Sequence, residues 1–413
     1  MTRARSPEGF ALFVAVLVLL PHVAAAQAVS QRGFVDASLT AYPQDAPNDR
    51  TNGVGDLLVR EEIFVKPASW IQFAAGADVR ANSHGQVDAA VDVGDRDLKR
   101  PALSIRRLSA TVTHGAFTLD AGKQFIRWGK TDILTPTDRF APRDFLNVVD
   151  TEFLPVTGVR GNVRLHDDNI EVAWVPVFTP SRTPLVDQRW VVLPAELQSA
   201  SIQQAPSQFP SGPQTGIRWN HAGSRIEYEL SFFDGFNNLP NIEPLNLEPL
   251  TLAVIARYPS LREYGGDVAV PTRWFTIKGE AAYFTSSTPR TDEYVLYVIQ
   301  LERQTGEWSF VGGYAGDHVT RQVALAPFAP DRGLAEAFIG RASYTIDVNR
   351  SFSLETAVRQ NGNGSYFKAE YSQARGGHWR VTAGGALLRG EPDDFLGQFR
   401  LDSHFRVALR YSF

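Results

Sequence analysis

The residues best placed to do chemistry lie in one stretch, "GKQFIRWGKTDILTPTDRFAPRDFLN", 122–147. Asp132, Asp138 and Asp144 alternate there with Lys130, Arg139 and Arg143. Alternating opposite charges can pair, steer and select small charged solutes. They do not by themselves make a nucleophile–base set. The histidines do not supply one either. His22 lies near the N-terminus, His114, His166, His221 and His378 fall at or beside short turns, and His84 and His318 fall in loops. His404 sits within a strand but has no serine or acid motif around it. No His/Asp/Glu set has metal-ligand spacing, and cysteine is absent. The expectation is therefore no catalytic residue, no metal site and no cofactor. Pro136 and Pro142 keep the segment irregular. The apolar residues of "DILTP" and "DRFAP" indicate that part of it packs on something, folding inward; a solvated external loop is the alternative.

Alternating strands flank this segment. "SWIQFAAGADVR" places Ile71, Phe73, Ala75, Ala77 and Val79 on one face, with Gln72, Asp78 and Arg80 on the other. "RWFTIKGEAAYF" sets Phe275, Ile277 and Tyr283 against Lys278 and Glu280. "SRIEYELSFF" sets Ile226, Tyr228, Leu230 and Phe232 against Glu227, Glu229 and Ser231. Period two over ten or more residues is strand periodicity.

Short turns, such as those at 66–69, 114–115 and 374–377, alternate strictly with longer connections, such as 82–99, 129–157, 179–213 and 234–261. Counting between them predicts an all-β, antiparallel up-and-down transmembrane barrel of about 18 strands, with 16 as the alternative. Both termini fall on the short-turn side. A β-sandwich would have strands of about 5–6 residues, and a propeller would show an internal repeat. Neither pattern is present.

Arg3 and Arg5 precede the apolar run "FALFVAVLVLL" and then "PHVAAAQA". This order of charge, apolar core and small residues predicts a secretory signal peptide over 1–26, with the barrel over 27–413. The apolar run is shorter than the ~20 residues a membrane helix needs. The 413 residues carry a net charge of −4 and are 43% hydrophobic, which excludes a disordered chain and gives no reason to expect nucleic acid as a partner.

Parity assigns charges to the lumen. Basic candidates are Arg80, Arg160, Arg164, Arg218, Lys278, Arg341, Arg359, Lys368, Arg380, Arg400, Arg406 and Arg410. Acidic candidates are Asp78, Glu171, Glu227, Glu229, Glu280, Glu302, Glu355, Glu370 and Asp402. The small basic excess predicts a weak preference for anions, although cross-strand pairing absorbs most of these charges. Lys123 is a misfit: strict alternation over 116–128 turns it to lipid, at a cost of about 2–4 kcal/mol. A bulge near Gly122 would return it to the lumen; snorkelling is the alternative.

The chain ends "FRVALRYSF", with Phe405, Val407, Leu409, Tyr411 and Phe413 on one face. This end resembles the C-terminal assembly signal of bacterial outer-membrane proteins. The resemblance implies outer-membrane lipid and the barrel-assembly machinery as partners, with Leu409, Tyr411 and Phe413 read by that machinery. Trp128-Gly129 followed by Pro136-x-Asp138 is similar to a segment of porin-like and exporter-associated barrels, which implies a pore-narrowing loop. The expected function is a porin-like outer-membrane channel for passive diffusion of small polar solutes. Alternatives are a conduit for an export system, a hydrophobic-solute channel, and a non-transporting structural, adhesion or enzymatic barrel. The oligomeric state, monomer or trimer, is left open.

Overall fold

The computed structural model describes residues 29–191, 201–248, 251–322 and 332–413. The expected signal peptide, 1–26, lies outside them. Among the described residues, eighteen antiparallel strands form one closed sheet. They are β1 (Val29–Ala41), β2 (Gly53–Ala68), β3 (Ile71–Asn82), β4 (Arg100–His114), β5 (Phe117–Gln124), β6 (Val156–Leu165), β7 (Asp168–Val175), β8 (Gln214–Ala222) and β9 (Glu227–Phe236). The second half comprises β10 (Ser260–Pro271), β11 (Thr276–Thr285), β12 (Glu293–Thr305), β13 (Trp308–Arg321), β14 (Ala337–Asp347), β15 (Arg350–Arg359), β16 (Gly364–Arg375), β17 (Trp379–Gly390) and β18 (His404–Ser412). Each pairs with its neighbours in the chain. β18 closes the ring on β1, with Ala37 opposite Leu409 and Phe34 opposite Ser412.

Alternation decides what faces where. In β3, Ala74, Gly76 and Asp78 point inward and are buried, while Phe73 and Ala75 point outward. Outward residues across the sheet are large and apolar: Leu230, Ile299 and Phe338 are 57%, 56% and 57% exposed. A surface this apolar on all sides fits lipid, not water. Aromatic rings gather at the short-turn rim, where Trp308 lies 4.6 Å from Tyr344 and Trp379 lies 4.9 Å from Tyr411. That is the interfacial girdle of a membrane barrel.

Two strands differ from their sequence reading. The last strand, which alternation and turn spacing would extend over 395–413, begins only at His404, because Asp394 accepts bonds from the Leu396 and Gly397 amides and 397–399 form a 3-10 turn. β5 ends at Gln124, not 128. At Gly122 the backbone adopts φ 119°, and a Cβ there would lie 2.2 Å from the Leu108 carbonyl oxygen. Only glycine enters this conformation without strain. Side-chain parity turns at this residue without any inserted residue in the β4–β5 register. Lys123 is thereby buried inside, donating to the Val93 carbonyl at 2.5 Å and pairing with Asp95 at 2.6 Å.

Candidate functional site

After Gly122 the chain leaves the wall and crosses the lumen. Residues 125–155 form a strap that buries several apolar side chains completely: Trp128 is 2%, and Ile126, Phe140 and Leu146 are each 1% exposed. Trp128, Phe140 and Phe233 stack edge to face, at 5.0 and 4.9 Å. The "DRFAP" phenylalanine thus binds the strap to the β9 wall.

One carboxylate fixes the start of the strap. Glu280, on β11, accepts from the Lys130 amide and from the amide and hydroxyl of Thr131 on one oxygen (2.9, 3.0 and 2.7 Å). Its other oxygen accepts from the amide and hydroxyl of Thr137, both at 2.9 Å. Gly129 makes this approach possible. Its φ is 88°, and a Cβ would lie 2.7 Å from Glu280 Oε1. Asp138 ties the strap to itself, accepting from the Trp128 amide at 3.1 Å and from Arg127 at 2.5 Å. Around this knot the wall is acidic. Glu171 takes the Trp128 indole N–H at 2.7 Å, and Glu227 pairs with Lys130 at 2.5 Å. Asp132 reaches Lys278 at 3.0 Å and accepts from Gln300. Burial raises the Asp132 carboxyl, but these two partners outweigh it and hold it below its usual range.

The far end of the strap carries the opposite sign and meets the opposite wall. Asp144 accepts two bonds from Arg100, at 2.8 and 3.0 Å, and also faces Arg182. Asp150 pairs with Lys368 and lies 3.7 Å from Arg406. Glu152 lies 2.6 Å from Arg80 and 3.4 Å from Arg60. Burial would raise all three carboxyls. For Glu152, Arg80, Arg60 and Arg106 prevail and hold it at about 2. Asp144 and Asp150 are likewise held low, chiefly by Arg100 and by Lys368.

Other loops support the strap. Asp95, from 83–99, joins Lys123 to Arg182. Arg189 reaches the Gln44 and Thr51 carbonyls at 2.8 and 2.9 Å and pairs with Asp402 at 3.3 Å. Burial pushes the Asp402 carboxyl up to about 6 against the pull of Arg189.

Two adjoining spaces lie beside the strap. A chamber of about 470 Å³ lies between the strap and the wall formed by β1–β4, β14–β16 and β18. Arg80, Arg100, Arg143, Arg189, Arg341, Lys368, Arg406 and Arg410 line it, against Asp36, Asp56, Asp132, Asp150, Glu152 and Glu355. A more apolar vestibule of about 300 Å³ is lined by Leu334, Phe395, Leu396 and Phe399 from the loops and by Tyr366 and Leu388 from the wall. The two share Ile133, Arg143, Val149, Thr151 and Glu355.

The sequence-selected residues fall into distinct places. Arg80, Arg143, Asp132, Arg406 and Arg410 line the chamber. Arg410 pairs with Asp36 at 2.9 Å, and Arg406 reaches the Ser38 hydroxyl at 3.2 Å. Glu280, Lys130, Asp138 and Asp144 hold the strap, and Lys278 bridges Asp132 to Glu302. Arg139 lines the vestibule and lies over the Phe284 ring. Arg359 pairs with Asp394 near the loop rim. Arg164 is exposed near the short-turn rim, opposite Asn169. Arg400 is exposed after the 3-10 turn, outside the wall. Leu409 faces outward, Tyr411 packs on Trp379, and the Phe413 backbone pairs with Gly33.

Arg60, Arg106, Asp150, Glu152 and Arg189 were not singled out from sequence. Arg60 follows from strand parity; Arg106 sits at a register shift between β3 and β4, and the others sit in loops, where no periodicity points to them. The segregation of charge had a signal. Glu171, Glu227, Glu229, Glu263, Asp267 and Glu280 fall on β7–β11, whereas Arg341, Lys368, Arg406 and Arg410 fall on β14–β18. Summing the lumen as one total hides that order.

A closed eighteen-stranded barrel with an inward strap is a porin-like fold. No protein-family model matches the chain. No curated protein matches it either. Among solved structures, OccAB4 of Acinetobacter baumannii superimposes with a TM-score of 0.54 at 11% identity, covering 94% of this chain and 99% of that one. A triple mutant of the Rhodopseudomonas blastica porin gives 0.44 at 8% identity, over 93% and 100%. OmpT, an outer membrane protein of Vibrio cholerae, gives 0.43 at 9%, over 93% and 99%.

Proposed function

We propose that the chain is a bacterial outer-membrane channel through which small polar solutes diffuse passively. The observation that carries this reading is the charged chamber of about 470 Å³ left open between the strap and the basic wall of a closed barrel. A barrel with a purely structural task has no need of a charged internal space, and nothing around His404 offers a hydrolytic set. Its ring packs against Tyr42 and Trp190, at 5.4 and 6.0 Å. In this reading residues 1–26 direct export, and Leu409, Tyr411 and Phe413 are read by the barrel-assembly machinery. Reconstitution into planar bilayers tests the reading. Stepwise currents in KCl, together with swelling of proteoliposomes in small sugars or amino acids, are expected. Folded, inserted protein without current would contradict it.

A further inference from the structure

Arg143 stands at the junction of the two cavities and lines both. Four bases near it are neutralised, Arg127 by Asp138 at 2.5 Å, Arg100 by Asp144 at 2.8 Å, Arg80 by Glu152 at 2.6 Å, and Arg341 by Glu355 at 2.7 Å, whereas Arg139 lies over the Phe284 ring without an ion pair among the described residues. Arg143 has no carboxylate within ion-pair distance among the described residues. Its guanidinium lies over the Phe153 ring, Cζ 4.2 Å from the centroid, and Arg127 lies over the same ring at 3.4 Å. The stacking fixes the plane of the group but leaves its N–H edge unmatched by any anion. Burial pushes this guanidinium down to about 10; Asp138 opposes the shift, and Arg127 and Arg139 add to it. A half-buried cation among other cations is stabilised strongly by an incoming anion, because a planar guanidinium can bind two oxygens at once. On the other side of the neck the space is apolar, with Phe145, Leu334, Phe395 and Phe399 among its lining.

We propose that Arg143 is the anion-binding residue of a solute site at this neck, and that its ligand is an amphipathic monoanion. The ligand is a compact apolar or aromatic body bearing one carboxylate, sulfonate or phosphate group. Its charge meets Arg143 while its body fills the vestibule. The vestibule of about 300 Å³ restricts the body to a compact one, the space of about ten waters at ~30 Å³ each. The site deepens the channel reading and rests on it: the vestibule admits the apolar end, Arg143 holds the charge, and the basic chamber receives it.

The probe is 3-phenylpropionate, with acetate as the charge alone and 3-phenylpropanol as the body alone. On single channels in KCl, 3-phenylpropionate is expected to interrupt the current saturably. Acetate and the alcohol are expected to do so at least about tenfold more weakly, the scale of one lost charged contact or one lost apolar body. Arg143→Gln should weaken the interruption about tenfold, and Arg143→Lys should weaken it less. Isothermal titration of the folded protein in detergent reads the same binding without current. Binding without any KCl current sinks the channel reading and keeps the site. Current with no binding of 3-phenylpropionate by wild type overturns the site. So does interruption that Arg143→Gln leaves unchanged, or that acetate matches. If Arg143→Gln does not fold, Arg143→Lys tests the residue and the wild-type probe series tests the ligand class.

Discussion

Glu280 illustrates how much one side chain can organise. Five donors from the strap converge on it, three of them backbone amides. Removing the carboxylate leaves those buried donors unsatisfied. Glu280→Ala should therefore destabilise the strap by on the order of 3 kcal/mol, since each stranded group costs about 1–3 kcal/mol. Limited proteolysis is the check: cleavage within 129–157 should become fast in the variant while the barrel band persists, and unchanged protection would refute the anchor. At the far end the strap should respond to acid. The Glu152 carboxyl is held at about 2, below its ordinary 4.5. A depressed carboxyl contributes stability above its unfolded pKa and loses it as pH falls through the folded one. The Arg80 and Arg60 pairs should therefore hold unchanged from pH 8 to 5. They should loosen between about pH 4.5 and 2, together with the low-lying Asp144 and Asp150. Single-channel noise recorded across that range should rise at the acid end, and Glu152→Gln should abolish that rise; a smaller step near pH 6 belongs to Asp402. An acid-end rise that Glu152→Gln leaves unchanged would assign it to other groups. Alternation made Glu280 legible as an inward residue, but not as an anchor, because its partners lie some 143–150 positions away and are mostly backbone amides.

Among the elements, Gly122 does for β5 what the last residues do for β18. The φ of 119° turns Lys123 inward and releases the chain into the lumen. Gly122→Val should cost about 1–3 kcal/mol in backbone strain alone, before the 2.2 Å approach to Leu108 is counted. The urea midpoint of the heat-modifiable band should fall accordingly; an unchanged midpoint would show that the wall tolerates a Cβ there. In β18, Leu409→Arg places a charge on the outer face, at a cost of about 2–4 kcal/mol at the midplane and less near an interface. Its folded yield should drop, and deletion of Phe413 should slow insertion; full yield of both would refute the outward face and the assembly role. Strand number and facing were legible in the chain, because period two and alternating turn lengths are local signals. The start of β18 was not. The residues at 395–403 alternate loosely enough to pass for strand, whereas Asp394 folds them into a turn by hydrogen bonds that no periodicity reveals.

For the whole molecule, the barrel sorts charge by wall and the strap uses that sorting. Its basic and amide-rich start meets the acids of β7–β11, and its acidic end meets the bases of β3 and β14–β18. What stays open is the basic side, with two more basic than acidic side chains around the chamber. Charges in a low-dielectric wall focus their field into such a space. Screening limits the effect to about 8–10 Å near physiological salt. The zero-current potential of the reconstituted channel across a KCl gradient reads this arrangement. Chloride should pass more readily than potassium by a modest factor that shrinks as salt rises, and Arg406→Gln with Arg410→Gln should move the potential toward potassium. A strongly potassium-selective pore, or inserted barrels that carry no current, would contradict it.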